Sequence, residues 1–161
     1  HLIVWKGFEI ELAKEKFWKA VYDTVYEKYE LATISVIDKY TTACKNAIDL
    51  ENTISIKKHG NYVYRVALDT VPDNIDTLRG KFGYFYEYDT DDINSIAHII
   101  NNKYQTLTYF GVDKSKLLGF VVKNRLLGID RIVPIGKALD MDIIWDGYDI
   151  IRSLSRVIEV K

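Results

Sequence analysis

Apolar and polar positions in the first fifty residues follow a helical period. Between Glu9 and Glu30 apolar residues recur every three or four positions, which predicts an amphipathic helix. Its predicted inward positions are Ile10, Ala13, Phe17, Val21 and Val25. A second helix is predicted between Leu31 and Leu50, although β-branched residues weaken its pattern. Its predicted inward positions are Ile34, Ile37, Ala43 and Ile48.

Four further segments in the first half have the pattern of strands. Leu2–Trp5 is a short apolar run that predicts a buried strand. Thr53–Lys58 and Tyr62–Leu68 alternate apolar and polar residues around His59-Gly60-Asn61, and this predicts a hairpin. Phe82–Tyr88 predicts another strand.

The second half alternates short helices and strands. A helix is predicted from about Asp91 to Lys103, capped by Asp89 or Thr90. Its predicted inward positions are Ile93, Ala97 and Ile100. Asp113 is a candidate cap for a helix that contains Leu117, Phe120 and Val121. The other predicted elements are strands at Leu107–Phe110, Ile129–Val133 and Arg156–Val160, and a helix near Tyr148–Ser153.

Strands separated by helices are typical of α/β proteins. We therefore predict a largely parallel twisted sheet, flanked by helices and extended by one hairpin. A chain of 161 residues fits a single domain, so residues 1–161 are predicted to form one domain.

Composition excludes several classes of function. The net charge is −1, from 22 basic and 23 acidic residues, so no bulk field attracts nucleic acid. The 12 tyrosines lie inside periodic segments, and we interpret them as core-edge residues rather than as a base-stacking surface. No apolar run of the length needed for a membrane span occurs. Cys44 is the single cysteine, which excludes an internal disulfide and suits a reducing cytoplasm.

Local catalytic motifs are missing from the sequence. The GxGxxG, GxxxxGK[ST], HExxH and GxSxG patterns do not occur. His1, His59 and His98 have no carboxylate at a useful spacing; we interpret His59 as a turn residue and His98 as lying on a helix flank. Cys44 is interpreted as a packed or semi-exposed thiol rather than as an activated nucleophile, because Lys45 would point away from it on a helix.

The last third of the chain resembles a known enzyme family. Residues 128–140 read GIDRIVPIGKALD and residues 145–156 read WDGYDIIRSLSR. Both resemble the C-terminal end of the LuxC-type acyl-CoA reductases, which are relatives of the aldehyde dehydrogenases. The resemblance extends less closely over Phe82–Phe110. Phe82-Gly83 lies where aldehyde dehydrogenases often have a Phe-Gly pair preceded by a ribose-binding glutamate, but Arg79-Gly80-Lys81 stands before it here.

The resemblance implies a reaction. Enzymes of this family transfer an acyl group from coenzyme A or a carrier protein to a cysteine, and hydride from NADPH then releases the aldehyde. The nucleophilic cysteine and the Rossmann cofactor region are expected before His1, so we expect this chain to be the C-terminal portion of a longer enzyme and to bind no NADPH alone. The sequence leaves open the acyl chain length and the choice between NADPH and NADH.

The resemblance also implies site residues. Pro134, Gly136 and Trp145 are predicted to line the acyl pocket, because the corresponding loop borders the substrate entrance in the superfamily. Alternatively the segment is structural, with Pro134 and Gly136 ending a strand and Trp145 filling a core. Asp140, Asp146 and Arg152 are predicted to hold the loop through hydrogen bonds and ion pairs.

Partners are implied by the same resemblance. The implied substrate is an acyl-CoA or acyl-carrier thioester. The implied protein partners are a second copy of the chain, contacted through the terminal strand Arg156–Lys161, and other fatty-acid-processing subunits. We expect all of them in the cytoplasm. A second hypothesis is a non-catalytic protein-association module derived from the same fold. A third is an unrelated small ligand-binding α/β domain.

Overall fold

The computed structural model describes all residues from His1 to Lys161. They form an α/β structure, as predicted, and group into two compact units, His1–Ser95 and Ile96–Lys161. The prediction that residues 1–161 form one domain stays a prediction. In chain order, the elements of the first unit are β1 (Leu2–Trp5), α1 (Ile10–Lys28), α2 (Thr33–Asp49), β2 (Thr53–His59), β3 (Val63–Leu68), a 3₁₀ turn at Ile75–Thr77 and β4 (Tyr84–Asp89).

The strands of the first unit form one four-stranded sheet in the order β1-β4-β3-β2. Strand β4 pairs in parallel with β1 on one side and with β3 on the other. Strand β2 pairs with β3 in antiparallel fashion across the turn at Gly60, so the hairpin adds the edge strand. The predicted largely parallel sheet with one hairpin is therefore confirmed.

Helices α1 and α2 cover opposite faces of this sheet. Successive side chains of a strand point to opposite faces, so Glu87 of β4 lies on one face while Tyr84 and Tyr86 lie on the other. Trp18 of α1 donates a hydrogen bond from Nε1 to Glu87 Oε1 at 2.7 Å. Asn46 of α2 donates from Nδ2 to the hydroxyls of Tyr84 and Tyr86, at 3.0 and 2.7 Å. The unit is thus a helix–sheet–helix sandwich.

The predicted helix α1 is confirmed, but its buried stripe differs from the prediction. Lys14 and Trp18 are its buried residues, whereas Ala13 is exposed. Trp18 is fully buried because its indole packs edge-on against the ring of Phe85 at 5.1 Å and hydrogen-bonds to Glu87. Lys14 is buried beside it because its ammonium pairs with the carboxylate of Asp89 at 2.7 Å.

The predicted helix α2 is also confirmed, with an unexpected orientation. Ser35, Lys39 and Ala43 are its buried residues, while three of the four apolar residues predicted to face inward are exposed. Those exposed residues are Ile34, Ile37 and Ile48. The reason lies in the sheet face below the helix, which carries tyrosine hydroxyls. Such groups need polar partners when they are buried, so a polar side of α2 packs on them.

The second unit is built from short elements. They are the end of a 3₁₀ helix (Ile93–Ile99), β5 (Thr106–Tyr109), α3 (Lys114–Lys123), β6 (Arg131–Pro134), β7 (Ile144–Trp145), β8 (Tyr148–Asp149) and α4 (Ile150–Leu154). Strands β5 and β6 pair in parallel, and β7 and β8 form a small hairpin. Asp113 caps α3 as predicted, because its Oδ1 accepts a hydrogen bond from Ser115 N at 2.8 Å.

Two predicted elements are wrong. The helix expected at Asp91–Lys103 is a 3₁₀ helix over Ile93–Ile99, and its three-residue period buries Ile96 and Ile99 instead of the expected positions. The side chain of Asp92 competes with regular helical hydrogen bonding here, since its Oδ1 accepts a hydrogen bond from the backbone N–H of Asn94.

The strand expected at Arg156–Val160 does not form. Residues 155–161 are exposed and have no regular structure, and no strand lies beside them to complete the pairing.

None of the helices has the length and apolar character that crossing a bilayer requires.

Candidate functional site

The loop after β6 carries the three predicted acyl-pocket residues. Pro134 ends β6 and is exposed, and Gly136 is exposed with a φ of 87°. Trp145 in β7 is half-buried, and the guanidinium of Arg131 lies over its ring at 4.3 Å from the centroid. The structure thus places Trp145 against a cation, and the assignment of the three residues to an acyl pocket stays a prediction.

Arg131 organises this loop. Its two terminal nitrogens donate to the backbone carbonyls of Ala138 and Asp140, each at 2.8 Å. A guanidinium presents its donors in a fixed planar fork, so two carbonyls bound to it are held in a defined geometry. Lys137 and Asp140 add an ion pair at 2.9 Å. The half-buried Arg131 and this ion pair therefore both hold the loop.

Two glycines of the segment make close backbone approaches. A Cβ at Gly128 would lie 1.8 Å from the carbonyl oxygen of Asn101, so this position excludes every other residue unless the backbone moves. Gly147 comes after Asp146 in the two-residue turn between β7 and β8, and both have positive φ, at 78° and 47°. An Asp-Gly pair is the typical sequence of such a turn. A Cβ at Gly147 would also meet Asp130 Oδ1 at 3.0 Å.

An open groove of about 360 Å³ lies between α3 and β6 in the same unit. Its apolar walls come from Leu118, Val121, Ile129 and Ile132, and Lys114 and Ser115 stand at the start of α3. None of the three predicted acyl-pocket residues lines it. The sequence indicated these apolar residues only as helix and strand positions, because the groove arises from the pairing of elements separated along the chain.

A buried polar cluster lies between α1 and the sheet. Glu87 accepts hydrogen bonds from Trp5 Nε1, Trp18 Nε1 and two nitrogens of Arg65, at distances from 2.7 to 3.1 Å. The guanidinium of Arg65 also lies over the Trp18 ring, 4.8 Å from its centroid. Because every member is partnered, we interpret this Glu87 cluster (Trp5, Trp18, Arg65 and Glu87) as structural.

His59 belongs to the edge of that cluster rather than to the turn. It is the last residue of β2, and its Nε2 lies 3.3 Å from Arg65. Burial and then the neighbouring Arg65 charge lower the pKa of His59. His98 is exposed on the 3₁₀ helix, and Cys44 is an exposed free thiol on α2. No group of histidine, cysteine and carboxylate residues is arranged to hold a metal ion.

A second polar site, on the other face of the sheet, was not predicted. Lys39 of α2 is 1% exposed, and its Nζ donates to the carbonyl oxygens of Tyr62 and Phe82, at 2.8 and 2.6 Å. The ring of Tyr64 lies 5.1 Å from the same nitrogen. Gly83 allows this approach, because a Cβ there would stand 2.2 Å from the Tyr62 oxygen.

Lys39 also lines a cavity of about 150 Å³ near the start of β4. The other lining residues are Asp38, Thr42, Arg79, Lys81 and Tyr84. Burial lowers the pKa of Lys39 to about 8. The sequence contains one indication of this site, a lysine that lies on the same side of α2 as small buried residues. That indication can be recognised only when the buried side of the helix is known.

Lys39 gives a testable dependence of stability on pH. The lowered pKa means that the folded protein loses this proton near pH 8, whereas the unfolded chain keeps it to about pH 10.4. The unfolded state therefore binds more protons between these values, and the contribution of Lys39 to the free energy of unfolding rises with pH in that window.

We expect urea unfolding at pH 7, 8, 9 and 10 to show a gain for the wild type relative to Lys39→Met as the pH rises. Comparison with the variant removes the opposing effect of Tyr84 and Tyr86, whose pKa values are raised by burial. Parallel pH profiles for the two proteins would contradict the assignment.

No family model, no curated protein and no solved structure matches this chain.

Proposed function

We propose that this chain is the C-terminal portion of an NADPH-dependent acyl-CoA reductase. Such an enzyme converts a fatty acyl thioester to an aldehyde through a cysteine acyl-enzyme. The observation that carries the proposal is the organisation of residues 128–147, where the resemblance to LuxC-type reductases is strongest. Arg131 and Trp145, which belong to the two most similar segments, are in contact, and Arg131 also bonds to the carbonyls of Ala138 and Asp140.

These contacts support the proposal because they give the segment the defined loop shape that the proposal requires. Arg131 bonds to two carbonyls and lies over the Trp145 ring, and Gly128 stands where a Cβ would collide with the carbonyl oxygen of Asn101. A loop of this kind can present a fixed wall to a substrate, since binding residues lie preferentially on loops held by a rigid scaffold. In the proposed enzyme this wall borders the acyl entrance.

The isolated chain of 161 residues is expected to show no acyl-CoA-dependent oxidation of NADPH. Thioester reduction needs an activated thiolate and a bound hydride donor, which we assign to residues before His1. The measurement is NADPH absorbance with a long-chain acyl-CoA, using the wild type and Cys44→Ser. Steady turnover by the wild type that disappears in Cys44→Ser would contradict both the proposal and the interpretation of this thiol as unreactive.

Trp145→Ala, made in the protein extended by the residues encoded upstream, is expected to change the preference for acyl chain length. Pocket contacts discriminate by about 1–3 kcal/mol for each methylene-sized change in fit. The measurement is kcat/KM over a series of acyl-CoAs, beside the urea midpoint. A loss of about 3–5 kcal/mol in stability with an unchanged chain-length profile would instead make Trp145 a core residue.

The alternative, a non-catalytic module for protein association, is favoured by one observation. Ile34, Ile37 and Ile48 of α2 are 71%, 56% and 82% exposed, and they lie on the side of the helix away from the sheet. Exposed apolar residues on one side of a surface helix are a feature of protein interaction sites. The two proposals predict different results for the protein extended by the residues encoded upstream. Association with a protein partner without reduction of acyl-CoA would favour the association module.

A further inference from the structure

The cavity beside Lys39 has a strong excess of positive charge. Lys39, Arg79 and Lys81 contribute three cations to its wall, and Asp38 contributes one carboxylate. The net charge of the lining is therefore about +2 at neutral pH. The protein as a whole carries a net charge of −1, so this excess is local to the cavity.

The ammonium group of Lys39 lines the cavity and has one N–H donor that the two carbonyls do not use. An ammonium has three N–H donors, and two of them are used by the carbonyls of Tyr62 and Phe82. These bonds fix the position of the nitrogen. Burying a charge without a counter-ion costs free energy, and no carboxylate forms an ion pair with Lys39. An anion in the cavity would supply the missing partner.

Arg79 and Lys81 are brought to the cavity by the glycine between them. A Cβ at Gly80 would lie 2.6 Å from the ring of Tyr84, so only glycine lets this backbone pass so close to the start of β4. The side chains of Arg79 and Lys81 are exposed, which gives a ligand access from solvent. The wall therefore combines one fixed buried cation with two accessible ones.

We propose that this pocket binds the phosphate group of a small molecule, either as inorganic phosphate or as a terminal phosphate monoester. A phosphate dianion matches the charge of the lining, and arginine and lysine are its usual partners in proteins. The volume of about 150 Å³ accommodates one such group but not a nucleotide. The pocket lies in the unit formed by residues 1–95, and its binding can be measured whether or not the proposed reductase function is correct.

The experiment is a calorimetric titration of the full chain at constant ionic strength with inorganic phosphate, coenzyme A and dephospho-coenzyme A. The last two differ only in a phosphate monoester. The test variant is Arg79→Gln with Lys81→Gln, because both side chains are exposed and their substitution is expected to cost little stability. The matched control is Lys28→Gln with Arg156→Gln, which removes the same two charges from exposed positions elsewhere.

We expect saturable binding of inorganic phosphate or coenzyme A that becomes at least about tenfold weaker in the test variant and is unchanged in the control. Binding of coenzyme A but not of dephospho-coenzyme A identifies a monoester as the ligand, and binding of inorganic phosphate alone identifies the free ion. Lys39→Met should abolish binding in either case, and its circular dichroism reports whether it folds.

Three results would overturn the proposal. One is no binding of either inorganic phosphate or coenzyme A below about 10 mM. Another is equal affinity in the test and control variants. The third is equally tight binding of coenzyme A and dephospho-coenzyme A without any binding of inorganic phosphate.

Discussion

Glu87→Gln is expected to lower the free energy of unfolding by about 3–5 kcal/mol. Glu87 is 3% exposed, and its carboxylate accepts hydrogen bonds from both Trp5 and Trp18 and from the guanidinium of Arg65. Glutamine has no charge to compensate Arg65, which is itself only 8% exposed. An uncompensated buried charge is among the most costly single changes in a protein.

The measurement is urea unfolding followed by tryptophan fluorescence, since Trp18 lies in the cluster. Glu15→Gln is the matched control, because Glu15 lies exposed on α1 and its change should stay within about 0.5 kcal/mol. The double variant Arg65→Met with Glu87→Leu should recover part of the loss, since it leaves no buried charge unpaired. A cost below about 1 kcal/mol for Glu87→Gln would contradict the description of the cluster as buried and fully hydrogen-bonded.

Gly128→Ala is expected to destabilise the protein by about 3 kcal/mol, at the upper end of the range for overpacking. Its Cβ would stand 1.8 Å from the Asn101 carbonyl oxygen, so the collision is with backbone and cannot be relieved by turning a side chain. The residue precedes β6, and a shift there moves Arg131 away from the carbonyls that it holds. Loss of the loop geometry should therefore accompany the loss of stability.

Gly119→Ala is the matched control for this change. Gly119 lies within α3, and a Cβ there meets nothing within 4 Å. Alanine in a helix is favoured over glycine by about 0.5–1 kcal/mol, so this variant should be as stable as the wild type or more stable. Thermal unfolding of the two variants gives the comparison. Equal stability of Gly128→Ala and Gly119→Ala would contradict the close approach at residue 128.

Periodicity predicted most elements of the first unit, because a helix or a strand exposes its repeat directly in the sequence. For α2, three of the four positions that it predicted to face inward are exposed. The sheet face beneath α2 is rich in polar groups: tyrosine hydroxyls bind Asn46, and the carbonyl oxygens of Tyr62 and Phe82 bind Lys39. These partners favour burial of the polar side of α2, and Ile34 and Ile37 stay exposed. A preference of this kind depends on the partner surface, which a local pattern does not contain.

The buried cluster and the cationic cavity could not be predicted for a related reason. Arg65 and Glu87 stand on neighbouring strands only because β3 and β4 pair with a particular register. The cavity joins three residues of α2 to a segment about forty residues later. The sequence indicated the buried cluster only through one charged residue in each of these two strands, Arg65 in β3 and Glu87 in β4. For Gly128–Gly147 the resemblance implied a loop, but the role of Arg131, which bonds to two of its carbonyls, was not predicted.

The most direct test of the proposed reductase is acyl-enzyme trapping in the protein extended by the residues encoded upstream. The protein is incubated with a long-chain acyl-CoA in the absence of NADPH, digested, and analysed by mass spectrometry. We predict one acyl group in thioester linkage on a cysteine that precedes His1, released as aldehyde when NADPH is added. Acylation of Cys44, or no acylation of any cysteine, would contradict the proposed function.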